Sequence, residues 1–330
     1  MIRIVLDCMG GDNSPKAHVE GAILALKENK DLYIILVGKS REILRELSKH
    51  EFDKNKLNIV DAEDIIYSYD EPVKSIRSKQ RSSLVIALNE LIDKDYDGIV
   101  STGNSGAFLV GCLFIVGKIN GVFRPALAPI IDREDGRFIL LDSGANVDCD
   151  ARNIVQFANL GRLYYEVLFK KDNPTVKLLN IGTEKNKGNF VIRDAYDQLS
   201  NDPNINFKGN LEARDIFKDD TNVIVCDGFV GNIALKIMEG TSKHIMSLAI
   251  RDISKNFLYK IVKNIAPSFL NGIKSKYDYK KYGGAVFLGV RKVCVKSHGN
   301  SNEITIKNSI NTAFKLVNEK IINSIEKLYL

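Results

Sequence analysis

Four short β-branched runs in this chain finish alike. "DGIVSTGN", "RFILLDSG", "TVKLLNIG" and "NVIVCDG" each close on Asp or Asn close to a Gly. Three further runs, "IRIVLD", "LYIILVG" and "KLNIVDA", read as strands too, and Gly38 ends the second. Amphipathic stretches separate them; Pro15 opens the first, "KAHVEGAILALKEN", because a proline in the first helical turn costs nothing. This alternation predicts an α/β fold with a mostly parallel sheet. Open α/β sheets bind ligands beyond the carboxyl ends of their strands. The carboxyl ends here carry "DCMGGD" (Asp7 to Asp12), "STGNSGA" (from Ser101), "DSGAN" (Asp142 to Asn146), "NIGTEKNKGN" (Asn180 to Asn189) and "DGFVGN" (Asp227 to Asn232). One such loop is a turn. Five, expected on one edge, predict a site.

The 330 residues suit one large domain, or two subdomains sharing a core. A formal net charge of +6 fits an anionic substrate, an acidic partner protein or an anionic membrane surface. It is too weak and too dispersed to argue for nucleic acid. The five cysteines form no CxxC pair, which predicts reduced, buried thiols in the cytoplasm. "MIRIVLDCMGG" reads as a strand, its apolar run being too short for a signal peptide, and no apolar stretch has bilayer length. No metal is expected, because the histidines are isolated. Asp7, Asp12, Asp142 and Asp227 have the chemistry to hold Mg²⁺, but turn and cap roles explain them equally well.

The turns have the parts of an anion site. Gly103 and Gly106 let main-chain N–H groups approach a ligand, and Asn104 and Ser105 either cap the following helix or donate to an oxyanion. The spacing matches neither GxxxxGK[ST] nor GxGxxG, so a small anion such as inorganic phosphate fits as well as a nucleotide. In "KSIRSKQRSSL", Arg77, Lys79 and Arg81 with Ser82 or Ser83 are either an anion site or a solvated basic segment. Lys185 and Lys187 precede Gly188 and are either phosphate-binding or ordinary surface lysines. His298, in "VKSHGNSN", lies in a turn expected to line the site, whereas His18, His50 and His244 sit in helical contexts and read as incidental.

Together these loops resemble the bacterial phosphate acyltransferases of phospholipid synthesis, the acyl-acyl-carrier-protein:phosphate acyltransferases. The resemblance also rests on "EPVKSIRSKQRSSL", "RPALAPI", "LLDSGANVDC", "QFANLG", "VCDGFVGNIALKIMEG" and "YGGAVFLGV", in the expected order. It implies transfer of a long-chain acyl group from acyl carrier protein to inorganic phosphate. The acyl phosphate then serves a membrane glycerol-3-phosphate acyltransferase. It further implies a three-layer α/β/α fold similar to the isocitrate and isopropylmalate dehydrogenases and to phosphotransacetylase. A homodimer without organic cofactor, cytoplasmic and peripherally bound to the inner membrane face, is implied as well. Thr183, the "STGNSGA" form of the turn and Asn302 depart from the family's usual residues.

Acyl transfer from sulfur to a phosphate oxygen needs no protein nucleophile, because a thiol of pKa about 8.5 leaves readily and phosphate is already an oxyanion. Positioning and oxyanion stabilisation are the larger demands. The expected roles are therefore phosphate binding by Gly103, Asn104 and Ser105, and charge neutralisation or protonation of the leaving thiolate by Lys187. Asn232 and His298 are the oxyanion candidates, with Asp7, Asn146 and Asp227 orienting these groups. The segment from about 251 to 284 carries Phe257, Leu258, Ile261, Ile265, Phe269 and Leu270 at helical spacing among lysines. It reads as a membrane-contacting amphipathic helix, or else as a dimer or core helix. The rival readings are a phosphotransacetylase using acetyl-CoA, a metal- and NAD-dependent decarboxylating dehydrogenase, and a membrane-docked scaffold without activity.

Overall fold

A computed structural model describes residues 1–133, 135–254 and 283–329. Of the segment expected to contact a membrane, residues 255–282, with Phe257, Leu258 and Ile261, lie outside the described residues. The rest builds around one sheet. In chain order the strands are β1 (Ile2–Asp7), β2 (Leu32–Gly38), β3 (Leu57–Asp61), β4 (Gly98–Ser101), β5 (Ala126–Arg133), β6 (Gly136–Leu141), β7 (Thr175–Asn180), β8 (Asn206–Glu212), β9 (Val223–Val225), β10 (Ala285–Leu288) and β11 (Val293–Lys296). The helices are α1 (Lys16–Glu28), α2 (Ser40–Leu47), α3 (Pro72–Ser78), α4 (Ser83–Asp93), α5 (Ser105–Gly111), α6 (Ala151–Phe169), α7 (Phe190–Ser200), α8 (Gly228–Ser254), α9 (Glu303–Asn318) and α10 (Ile321–Leu328). All seven runs read as strands from the sequence are strands.

The sheet order is β3-β2-β1-β4-β11-β10-β5-β6-β9-β7-β8. β3, β2, β1, β4 and β11 are mutually parallel, as are β6, β9, β7 and β8. Between the two groups, β10 and the β5–β6 hairpin pair antiparallel. Three successive reversals leave the two parallel groups running in opposite senses. The expectation that five strand-end loops leave one edge is therefore corrected. β1, β4 and β11 reach their carboxyl ends from one direction and β6, β9 and β7 from the other. The register brings both sets of ends to the middle of the sheet, where Asp142 and Ser143 meet Leu127 of β5, which stands level with Phe287, Cys294, Ile99 and Val5.

Alternating burial explains why helices cover both faces. In β1, Ile4 and Leu6 pack into a core shared with Val19 and Ala22 of α1 and Ile306 and Ile310 of α9. Val5, between them, packs with Val85 and Leu88 of α4 and Phe108 of α5. In the other half, Ile139 and Leu141 of β6 face Ile154 and Phe157 of α6. Phe138 and Leu140 face the opposite way, toward Ala234, Leu235 and Met238 of α8. A strand buried on both faces has to be apolar throughout, which is why these runs read as continuous rather than alternating.

Candidate active site

Each half of the sheet ends in a polar cluster organised by a buried aspartate. Asp7 closes β1. Its Oδ1 accepts from Ser83 Oγ at 2.6 Å and the Met9 N–H at 3.3 Å, and its Oδ2 from Ser101 Oγ at 2.8 Å. Burial pushes this carboxyl above its ordinary value, and the same donors pull it back. Ser101 Oγ in turn accepts the Gly103 N–H at 3.1 Å, so the carboxylate fixes the start of the "STGNS" turn through one hydroxyl.

Thr102 is held from other sides. Its hydroxyl donates to the Gly10 carbonyl and lies 2.8 Å from His18 Nε2. A hydroxyl has one proton to give, so His18 must donate to it through Nε2. Burial lowers His18 to about 4, which keeps the ring neutral. The Thr102 carbonyl accepts from Lys296 Nζ at 3.4 Å, and Lys296 also donates to the Ser297 carbonyl. Burial draws Lys296 down to about 8; Asp7 opposes that pull and Lys236 of α8 adds to it.

Main chain meets main chain here. A Cβ on Gly10 would stand 2.5 Å from the Gly103 nitrogen, so the β1 and β4 loops pack this closely only with glycine. The β11 loop joins them, its Gly299 carbonyl accepting the Asp12 N–H at 2.7 Å and its Ser301 carbonyl accepting from Asn13 Nδ2 at 3.0 Å.

Asn104 takes the capping role, one of the two open to it from the sequence. It caps α5, with Oδ1 accepting the Ala107 N–H at 3.0 Å. Its amide donates to the carbonyls of Tyr67, Ser68 and Asp70 at 3.1, 3.3 and 3.0 Å. Both ends of the side chain are thus occupied in joining the turn to the loop before α3. What the turn presents outward is Ser105, exposed at the first position of α5, where main-chain N–H groups lack intrahelical partners. Most of the basic segment before α4 is similarly occupied, while Arg77 is exposed. Lys79 pairs with Asp70 at 2.7 Å, Arg81 pairs with Glu63, Ser82 caps α4, and Ser83 is bound to Asp7.

The second cluster surrounds Asp142, just after β6 and fully buried. Oδ1 accepts the N–H groups of Leu127, Gly144 and Ala145 at 2.9, 3.2 and 3.1 Å. Oδ2 accepts the Asn146 N–H at 2.7 Å and Asn146 Nδ2 at 2.9 Å. Burial again raises the carboxyl and these donors oppose it. The Asn146 carbonyl receives the Gly228 N–H at 2.8 Å, which seats the start of α8 on this loop. Asp227 accepts the Val230 N–H at 2.7 Å, and Asn232 is exposed on the first turn of α8 beside Gly144. Lys187 lies in the β7–α7 loop, half-exposed, its Nζ 3.8 Å from Glu184.

α8 links the clusters. It starts against Asp142 and Asn146, and three turns later Glu239 comes within 3.9 Å of His298 Nε2. Eleven residues of helix span about 17 Å. One end of α8 thus belongs to the Asp142 cluster, and its middle to the β11 loop.

A protein-family model described as "Fatty acid synthesis protein" matches residues 2–324. The phosphate acyltransferase of Clostridium tetani is 44% identical over 327 residues, covering 99% of this chain and 97% of that protein. The phosphate acyltransferase of Clostridium novyi is 44% identical over 325 residues, 98% of each chain. This chain belongs to the phosphate acyltransferase family. Among solved structures, a phosphotransacetylase from Streptococcus pyogenes superposes with a TM-score of 0.62 at 17% identity, covering 98% of this chain and 94% of that one, which shows a shared fold.

In this acyltransferase the residues singled out from the sequence therefore fall into two groups. Asp7, Gly103, Asn104, Ser105 and His298 gather at the ends of β1, β4 and β11. Asn146, Asp227, Asn232 and Lys187 gather at the ends of β6, β9 and β7. Sequence reasoning missed three residues on the first group's floor: His18, Thr102 and Lys296. The amphipathic pattern of α1 hides His18 among incidental histidines, although the helix buries it. Lys296 carried a signal, being a lysine at the end of a run, "VCVK", that is otherwise buried.

Proposed function

We propose that this acyltransferase moves a long-chain acyl group from acyl carrier protein to inorganic phosphate, giving an acyl phosphate for phosphatidic acid and phospholipid synthesis. The observation that carries the reading is an apolar rim around polar donors. Val147, Ile181, Phe190 and Phe229 are exposed in the loops and helix starts that also hold Asn146, Lys187 and Asn232. Acyl-chain chemistry suits such a rim, and the polar residues suit phosphate and a developing oxyanion. Membership of the phosphate acyltransferases supports the same reading.

In this mechanism phosphate sits against the start of α5, held by main-chain N–H groups and Ser105, with Gly103 and Asn104 setting the shape of the turn. A phosphate oxygen attacks the thioester carbonyl. Asn232 and His298 stabilise the oxyanion. Lys187 neutralises charge or protonates the departing thiolate. Asp7, Asn146 and Asp227 act indirectly, by fixing the loops. The carbon–sulfur bond breaks as the acyl–phosphate bond forms, and no redox step occurs. The enzyme works as a cytoplasmic homodimer at the inner membrane face, where its product is delivered to a membrane glycerol-3-phosphate acyltransferase. The segment with Phe257, Leu258 and Ile261 serves as the membrane contact. Among the described residues no helix is long and apolar enough to cross a membrane.

The test combines purified protein, palmitoyl-acyl carrier protein and labelled phosphate, with hydroxylamine trapping of the product. Phosphate-dependent acyl hydroxamate is expected. Activity restricted to acetyl-CoA would make the enzyme a phosphotransacetylase instead.

A further inference from the structure

The "STGNS" turn rests on a buried lysine. Lys296, the last residue of β11, is 8% exposed, and its Nζ reaches the carbonyls of Thr102 and Ser297. These carbonyls follow β4 and β11, so a single ammonium ties two strand ends together beneath the turn. Among the described residues, two charges act on it most. Asp7 at the end of β1 attracts it, and Lys236 of α8 repels it. Glu239 of α8 lies 3.5 Å from Lys236 and 3.9 Å from His298. From α1 comes only neutral His18, bound to the Thr102 hydroxyl. α9, packed on β11, buries the uncharged Thr305 and Ser309.

We infer that Lys296 is a positioning residue that pins Thr102 and holds a positive charge under the phosphate-binding turn, so that phosphate binding depends on its protonation. This rests on the phosphate-binding reading of that turn given above. The hydrogen bonds alone do not require the charge, because a neutral amine still has two protons for two carbonyls. The charge matters through the field it exerts on a dianion across a dry interior, where screening is weak. A buried ammonium is costly unless something compensates it. In this site Asp7 compensates part of the cost, and a bound anion would compensate more. Burial brings Lys296 to about 8, within the range where an enzyme is readily assayed. The sign follows: the ammonium form binds phosphate, so affinity falls as pH rises through that value, and binding at alkaline pH takes up protons.

The experiment measures the phosphate dissociation constant of the full-length protein by calorimetry at about pH 7.5 and 9.5, with each value referred to the phosphate dianion because part of the phosphate is still monoanionic at the lower pH. Wild type is expected to lose roughly tenfold in affinity across that span. Lys296→Met should bind weakly at both values and show no slope, and Lys296→Arg should show no slope because its charge does not titrate. Turnover should change mainly through the phosphate KM, with the KM for acyl donor unmoved. A general structural lesion would move both. If Lys296→Met fails to fold, the wild-type slope decides alone. Wild-type affinity equal at both pH values, or a Lys296→Met slope like wild type, overturns the inference and leaves the phosphate turn standing. Absence of phosphate binding at any pH overturns both.

Discussion

Replacing Asp142 by Asn isolates the worth of one carboxylate at the base of the second cluster. Asp142 accepts five hydrogen bonds, three on Oδ1 and two on Oδ2. An amide offers one acceptor oxygen and one NH₂. In the better orientation its oxygen keeps the Leu127, Gly144 and Ala145 donors, and its NH₂ faces the two donors of Asn146. Asn146 Nδ2 retains the Pro125 carbonyl at 2.8 Å, so the loss falls on the Asn146 N–H. A buried donor without an acceptor costs about 1–3 kcal/mol, and facing another donor places it at the upper end. Against this, Asn removes a charge that burial disfavours, the same burial that raises the Asp142 carboxyl. Each tenfold change in the proton affinity of such a group corresponds to about 1.4 kcal/mol. The net expectation is a loss of about 2 kcal/mol, the unpaired donor outweighing the relieved charge. Urea unfolding followed by circular dichroism at neutral pH would read it as a fall in midpoint of about 0.7 M, for a slope of about 3 kcal/mol per M. A variant within about 0.5 kcal/mol of wild type would mean that the five bonds do not determine the stability of this loop.

Three other outcomes follow from the same geometry. Gly231→Ala would place a Cβ 1.8 Å from the Asp142 carbonyl oxygen, and because that neighbour is backbone the loss should reach about 3 kcal/mol or more, read as a large drop in melting temperature. His18 is lowered from 6.5 to about 4, so its contribution is present above about pH 6.5 and is lost as pH falls toward 4; the ceiling is about 3 kcal/mol, and His18→Gln should flatten the stability profile across that window. Lys187→Ala, Asn232→Ala and His298→Ala, all at positions at least partly exposed, should leave folding near wild type while lowering kcat/KM about 10²-fold each; near-normal turnover in all three would remove them from the mechanism.

The strands were legible because burial on both faces leaves no alternative to apolar runs, and the first helix start because Pro15 stands where chain direction changes. The direction of β10 and of the β5–β6 hairpin was not legible. "RPALAPI" and "YGGAVFLGV" are apolar segments whose parallel or antiparallel pairing depends on partners far away in sequence, and local pattern carries no trace of it. That gap produced the mistaken single edge. Asn104 illustrates a second limit. An Asn before a helix has the same spacing whether it caps the helix or meets a ligand, and only the carbonyls of Tyr67, Ser68 and Asp70 decide what its amide does. Lys296 illustrates a third, because burial of a lysine is set by α8 and β4 together and not by its own strand.

The two buried aspartates pose an electrostatic problem that the fold resolves differently in each half. Both lie beneath loops proposed to receive an anion or a developing oxyanion, and a negative charge there opposes that task. Asp142 disperses its charge into five donors, four of them main-chain N–H groups, so the loop dipoles point inward and hold the start of α8. Asp7 is held by two serine hydroxyls and by the main-chain N–H groups of Met9 and Gly10, and Lys296 is drawn toward it as a nearby positive charge. It follows that removing charge at Asp7 should be felt at Lys296. In Asp7→Asn the lysine loses its attracting neighbour while the repulsion from Lys236 stays, so its proton affinity should fall below the wild-type value of about 8. The alkaline loss of phosphate affinity should then begin earlier, by roughly 0.5 to 1 on the pH scale. An Asp7→Asn protein whose phosphate affinity keeps the wild-type pH profile would show that the two groups are not coupled, whatever their proximity.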